Sequence, residues 1–189
     1  VHSTTKYIGG HSDLVGGAIM TSDPDLHEQY KFVQFAGGSV PSPFECFLLH
    51  RSIKSLAVRM AQHQTNAFAV AEMLEQHPRV RKVSYPGLPS HPGHAIAREQ
   101  MSGFSGIVSF YLDGSYDDVV SFFKRLDMFV LAESLGGVES LVNHPERMTH
   151  ASVPPDLRET LGISPNLIRL SCGIEATADL VADLERALG

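Results

Sequence analysis

Between Phe44 and His77 the chain contains neither proline nor glycine, and no other stretch limits its possible folds as strongly. Phe47, Leu48, Ile53, Leu56, Val58, Met60, Phe68, Val70, Met73 and Leu74 recur there at mixed helical spacing. That pattern predicts one long, bent helix or two helices in series. A helix of such length commonly bridges two packed units. We therefore place a domain boundary inside it near Leu56, giving segments 1–56 and 57–189.

The flanking sequence alternates strand and helix signals. Leu14–Met20 reads as a short buried strand with glycines that allow close backbone approach. Ser22-Asp23-Pro24-Asp25 reads as the cap and first turn of a helix running to about Phe35, and the glycines and prolines from Gly37 to Pro43 form a loop. Beyond the long helix, strands are predicted over Arg79–Tyr85, Ser105–Leu112, Met128–Leu131 and Leu167–Cys172. Helices are predicted over Pro92–Met101, Tyr116–Leu126, Pro155–Leu161 and Ala178–Leu188. Without an internal repeat, this gives an α/β chain. Its second unit should hold a small, mostly antiparallel sheet covered by helices on one face.

Composition narrows the function. With 189 residues the chain can bury a substantial core, and no apolar run is long enough for a membrane span. The formal charge of −6, with no basic run, argues against a nucleic-acid partner. Cys46 and Cys172, far apart, fit free thiols in a reducing compartment such as the cytoplasm. His63, His77, His91 and His94 lack a matching set of ligands and are read as surface or capping residues, with no metal site.

Three places can carry chemistry. In Ser3-Thr4-Thr5-Lys6, ahead of Gly9-Gly10, a lone lysine sits among small hydroxyl residues where a ligand can approach its amine. A lysine of this kind is a nucleophile toward carbonyl compounds, and the Ser3 and Thr5 hydroxyls are suited to a phosphate. By itself the string also fits an ordinary solvated loop. Glu133-Ser134-Leu135-Gly136-Gly137-Val138-Glu139-Ser140 sets carboxylates and hydroxyls around a turn after a strand, and alone it reads as a polar loop with a flexible corner. Arg169, between Ile168 and Leu170, faces away from both because side chains alternate along a strand. It either pairs with a structural carboxylate such as Glu175 or receives a ligand carboxylate on its planar fork.

Taken in order, Ser3–Tyr7 with Gly10–Asp13, Ala132–Leu141, Met148–Ala151, and Ile168–Ser171 with Gly173–Glu175 resemble the pyridoxal-phosphate enzymes of cysteine and methionine metabolism. The pattern is most like the branch of cystathionine gamma-lyases and gamma-synthases, and it covers essentially the whole chain. The resemblance implies an aspartate-aminotransferase-like fold (fold type I), with 1–56 the tail of the large cofactor-binding domain and 57–189 the small carboxyl-terminal domain. It also implies that Lys6 holds pyridoxal 5′-phosphate covalently and moves protons once freed, that Ser3 and Thr5 hold the phosphate, and that Arg169 takes the substrate carboxylate. Ser134 and Thr149 would lie near that end of the substrate, and Glu133 near its distal part.

The activity so implied is gamma-elimination of cystathionine to cysteine, 2-oxobutanoate and ammonia. Gamma-replacement of an O-acylhomoserine by cysteine is the alternative, and methionine gamma-lyase ranks below both. A homotetramer, a dimer of dimers with shared sites, is implied as well, with a small amino-acid substrate. Family members run to roughly twice this length, so Val1 is expected to mark a cut or split in a longer protein. The aspartate for the pyridine nitrogen, the ring-stacking aromatic and the phosphate residues lent by neighbouring subunits find no counterpart among these residues. From another class, the chain could be a non-catalytic oligomerisation module, a reading opposed by the joint presence of Lys6, Ser3, Thr5 and Arg169.

Overall fold

Two proline-led helix starts organise the first of two compact units, Val1–Leu56 and Ala57–Gly189, in a computed structural model that describes residues 1–189. Helix α1 (Pro24–Gly37) begins where the Asp23 carboxylate accepts the N–H groups of Asp25 and Leu26, and it ends at left-handed Gly38. Helix α2 (Pro43–Ser52) has a reciprocal cap: Ser42 Oγ accepts from Glu45 N, and the Glu45 carboxylate accepts from Ser42 N. Ahead of them, strand β1 (His2–Ser3) pairs antiparallel with β2 (Gly17–Ala18), so of the buried strand predicted over Leu14–Met20 only these two residues pair, and Val15, Ile19 and Met20 are exposed. Leu14 is buried, whereas α1 buries no residue within this unit.

The stretch free of proline and glycine resolves as two helices in series. A single tight turn, Ile53–Ser55, separates α2 from α3 (Leu56–Gln76). The division between the units falls at the start of α3.

The second unit is a five-stranded sheet in the order β3 (Val80–Ser84), β4 (Ile107–Leu112), β7 (Leu167–Ser171), β6 (Leu141–Asn143), β5 (Val130–Leu131). Three of its pairings are antiparallel and β5–β6 is parallel, which makes the sheet mixed. Strand β6 has no counterpart among the predicted elements. Helices α4 (His94–Gln100), α5 (Tyr116–Arg125), α6 (Pro155–Thr160) and α7 (Thr177–Leu188) complete the unit.

Alternation along the strands separates two faces. Val108 and Phe110 of β4, Val142 of β6, and Ile168 and Leu170 of β7 form one core with Val70 and Leu74 of α3, Val119 and Phe122 of α5, and Leu180 and Leu184 of α7. Burial of these apolar side chains supplies the main stabilisation, about 1.5–3 kcal/mol for each large one. The opposite face carries Ser109, Tyr111, Asn143, Arg169 and Ser171. The Tyr111 hydroxyl donates there to Gly162 O at 2.9 Å.

One histidine departs from the sequence reading. His63 is fully buried in α3, and its Nδ1 lies 2.7 Å from the carbonyl oxygen of Cys172. A carbonyl only accepts, so the proton resides on Nδ1. Burial also holds the imidazole pKa below its usual value. The signal was present in the sequence: His63 lies on the stripe with Ala67, Val70 and Leu74. His77 and His91 do act in turns, accepting from Arg79 N and Gly93 N respectively.

Candidate active site

Lys6 sits on a wide turn, Thr4–Ile8, tied off by Gly9 N–H donating to Thr4 O at 2.8 Å and Gly10 N–H donating to Lys6 O at 2.7 Å. Within this turn the Lys6 backbone leaves the helical region, at φ −88° and ψ −135°. The turn wraps tightly on Thr4, which is buried. At Gly9 a Cβ would lie 2.5 Å from Thr4 O, so only glycine lets the chain close there. Beneath it, His11 Nδ1–H donates to Gly9 O at 2.7 Å and lies 3.3 Å from the Ser52 hydroxyl on α2.

The hydroxyls beside Lys6 differ in their surroundings. Ser3 is exposed. Thr5 Oγ1 accepts the Gly16 N–H at 2.9 Å and stands 3.3 Å from Gly16 O. The short bond fills a lone pair, and the long one leaves the hydroxyl proton available to an anion that competes with Gly16 O. An amine nucleophile with two adjacent hydroxyl donors fits a phosphorylated aldehyde, and nothing in this donor set opposes pyridoxal phosphate.

The other candidate residues belong to the second unit. Arg169 projects from the centre of β7, half-buried, with its pKa pulled below the ordinary arginine value by burial. It takes part in none of the chain's ion pairs. Glu175, the structural partner considered from the sequence, is engaged elsewhere, accepting Ser140 N–H at 2.7 Å and the Ser140 hydroxyl at 2.8 Å. Arg169 is instead met by Asn143, directly opposite on β6.

Glu133 and Ser134 lie on the connection between β5 and β6, Glu133 exposed and Ser134 half-buried. That connection is tied to the last residue of β7 and to the residues just beyond it. Gly136 N–H donates to the Ser171 hydroxyl at 2.8 Å, and Ile174 N–H donates to Val138 O at 2.8 Å. Gly173 N–H donates to the Ser140 hydroxyl at 2.8 Å. The backbones are so close that a Cβ on Gly173 would fall 2.2 Å from Val138 O. Thr149 is half-buried with its hydroxyl 2.7 Å from His150 Nδ1, and no hydrogen bond joins it to Arg169.

Sequence reasoning missed Asn143, which meets Arg169, and named Ser140 and Ser171 only within motifs, without their roles in tying down the loop. A polar residue at alternate spacing after Leu141 was the available hint for Asn143.

The chain is similar to known proteins in sequence and in fold. A protein-family model described as Cys/Met metabolism PLP-dependent enzyme matches residues 1–189. The chain is 55% identical over 188 residues to a cystathionine gamma-lyase of Dictyostelium discoideum, covering 100% of this chain and 49% of the relative. It is 53% identical over 189 residues to a cystathionine gamma-synthase of Mycobacterium bovis, covering 100% of this chain and 48% of the relative. Among solved structures, cystathionine gamma synthase from Xanthomonas oryzae pv. oryzae in complex with aminoacrylate and cysteine superposes with a TM-score of 0.96 at 50% identity, over 99% of this chain and 48% of that one. Cystathionine gamma-lyase from Lactobacillus plantarum complexed with L-serine gives 0.93 at 45% identity, over 98% and 49%. The chain thus spans about half the length of the curated relatives it matches. With the family model matched from Val1 to Gly189, the chain belongs to the Cys/Met metabolism PLP-dependent enzymes.

Proposed function

We propose that the protein is a cystathionine gamma-lyase, which with water converts cystathionine into cysteine, 2-oxobutanoate and ammonia. The observation that carries this reading is Arg169: a half-buried guanidinium without a carboxylate partner, on the strand to which the Glu133–Ser134 loop is tied. Bound pyridoxal phosphate supplies an electron sink for the carbanions of the reaction. Lys6 would hold it covalently, and the hydroxyls of Ser3 and Thr5 would donate to its phosphate. The Lys6 amine would take the proton from the substrate α carbon and serve again at the β carbon. Arg169 fixes the substrate α-carboxylate, with Ser134 and Thr149 as neighbours at that end. Glu133 meets the distal amino group, which a cystathionine-like substrate has and methionine lacks.

This reading carries an aspartate-aminotransferase-like architecture in which 1–56 belong to a large cofactor domain and 57–189 form the small domain. A cytoplasmic homotetramer with shared sites accompanies it. Gamma-replacement of an O-acylhomoserine by cysteine is the second reading, supported by the 53% identity to a relative named as a synthase. The complete protein, given cystathionine, is expected to release 2-oxobutanoate faster than it forms cystathionine from cysteine and O-succinyl- or O-acetylhomoserine. The reverse order of rates would make it the synthase. Absence of a borohydride-sensitive absorbance band that Lys6→Ala also removes would leave an oligomerisation module.

A further inference from the structure

We propose that Asn143 is a positioning residue that holds the Arg169 guanidinium by one edge and leaves the other edge for a substrate carboxylate. Asn143 is buried on β6, directly across from Arg169 in the β6–β7 register. With the amide turned so that its oxygen faces the guanidinium, Asn143 accepts from Nε at 3.1 Å and from Nη2 at 2.9 Å. The opposite orientation would set the amide NH₂ against guanidinium donors, which leaves the oxygen as the only acceptor that suits the site.

A guanidinium has two edges able to grip an acceptor, one formed by Nε and Nη2 and an end-on edge formed by Nη1 and Nη2. Asn143 takes the first. The second keeps one N–H on each terminal nitrogen, spaced to bind both oxygens of a carboxylate. Because Asn143 is neutral, it orients the fork without cancelling its charge. An aspartate or glutamate bridging the same edge would offset the positive potential that recruits the ligand. Arg169 is therefore oriented by a dipole and remains electrostatically unpaired in the resting protein.

The inference rests on the proposed role of Arg169 in binding the substrate carboxylate, and the test separates the two. In the complete holoenzyme, calorimetric affinities for glycine and for glycinamide, which lacks the carboxylate, are compared in wild type, Asn143→Ala, Asn143→Leu and Arg169→Leu. Alanine empties the space and leucine refills it, so agreement between them excludes a packing defect. Both Asn143 variants are expected to bind glycine about tenfold more weakly, the scale of one net hydrogen bond to a charged group. Both should bind glycinamide as the wild type does, and KM for cystathionine should rise about as much while kcat stays within about twofold. Unchanged glycine affinity in both variants, or equal losses for glycine and glycinamide, would overturn the positioning role. If Arg169→Leu keeps the wild-type preference for glycine, the carboxylate role of Arg169 itself fails. If that preference disappears while the Asn143 variants keep it, only the positioning role does.

Discussion

Replacing Ser140 by alanine should release the loop that carries Glu133 and Ser134. Ser140 is wholly buried, and its hydroxyl makes two bonds, donating to the Glu175 carboxylate at 2.8 Å and accepting from Gly173 N at 2.8 Å. The backbone bond from Ser140 N to Glu175 survives the substitution. Alanine removes the other two. A hydrogen bond to a charged group contributes about 1.5–3 kcal/mol, and stranding the buried Gly173 N–H costs about 1–3 kcal/mol. The expected loss of stability is therefore about 2.5–6 kcal/mol, large against the roughly 5–15 kcal/mol that holds a typical domain folded. Urea unfolding followed by far-ultraviolet circular dichroism measures it, with Ser121→Ala on the exposed side of α5 as a control expected to change stability by less than about 0.5 kcal/mol. A Ser140→Ala loss below about 1 kcal/mol would refute the reasoning, because the Ser140–Glu175–Gly173 cluster would then contribute little to the fold.

Two further expectations concern the buried interior. Because burial lowers the pKa of His63, the unfolded chain binds a proton there more readily than the folded one. Its contribution is complete above the unfolded value of about 6.5 and is lost as the pH falls below it. Wild type should lose more stability between about pH 7 and pH 5 than His63→Gln, which cannot titrate at that position; equal losses in urea melts would contradict this. The Cys172 thiol, fully buried and with its pKa raised by burial, should resist iodoacetamide in the native protein and react once urea exposes it. Mass spectrometry that finds Cys172 alkylated equally fast in both states would show that the core around His63 opens readily.

What could be read from the sequence depended on the range over which each feature is decided. Helix α1 was legible because Asp23 and Pro24 set its start locally, whereas the stretch now seen as α2 and α3 was left open between one bent helix and two in series. Lys6, Ser3 and Thr5 lie within four consecutive residues, so their proximity is local as well, whereas the role proposed for them came from the motifs further along the chain. Strand β6 was not legible, since three residues after a glycine-rich turn carry little periodic signal and owe their conformation to β7 and β5 on either side. The partner of Arg169 depends on the same pairing. Glu175, six residues away along the chain, was the obvious candidate, but only the order of strands shows that Asn143 stands opposite. His63 was misjudged because its polar character was weighed without the apolar stripe it belongs to.

The parallel pairing of β5 and β6 sets a rule for how this protein can change. Parallel neighbours require the intervening chain to travel back along the sheet before it can enter the second strand. Residues 132–140 make that return, so their number fixes which residues of β6 face which side. Adding or removing one residue would turn Val142 toward Arg169 and Asn143 into the helix-covered core. The connection can accept altered side chains far more readily than altered length. Variation in substrate choice, if it arises here, should come through substitution within a loop of constant span.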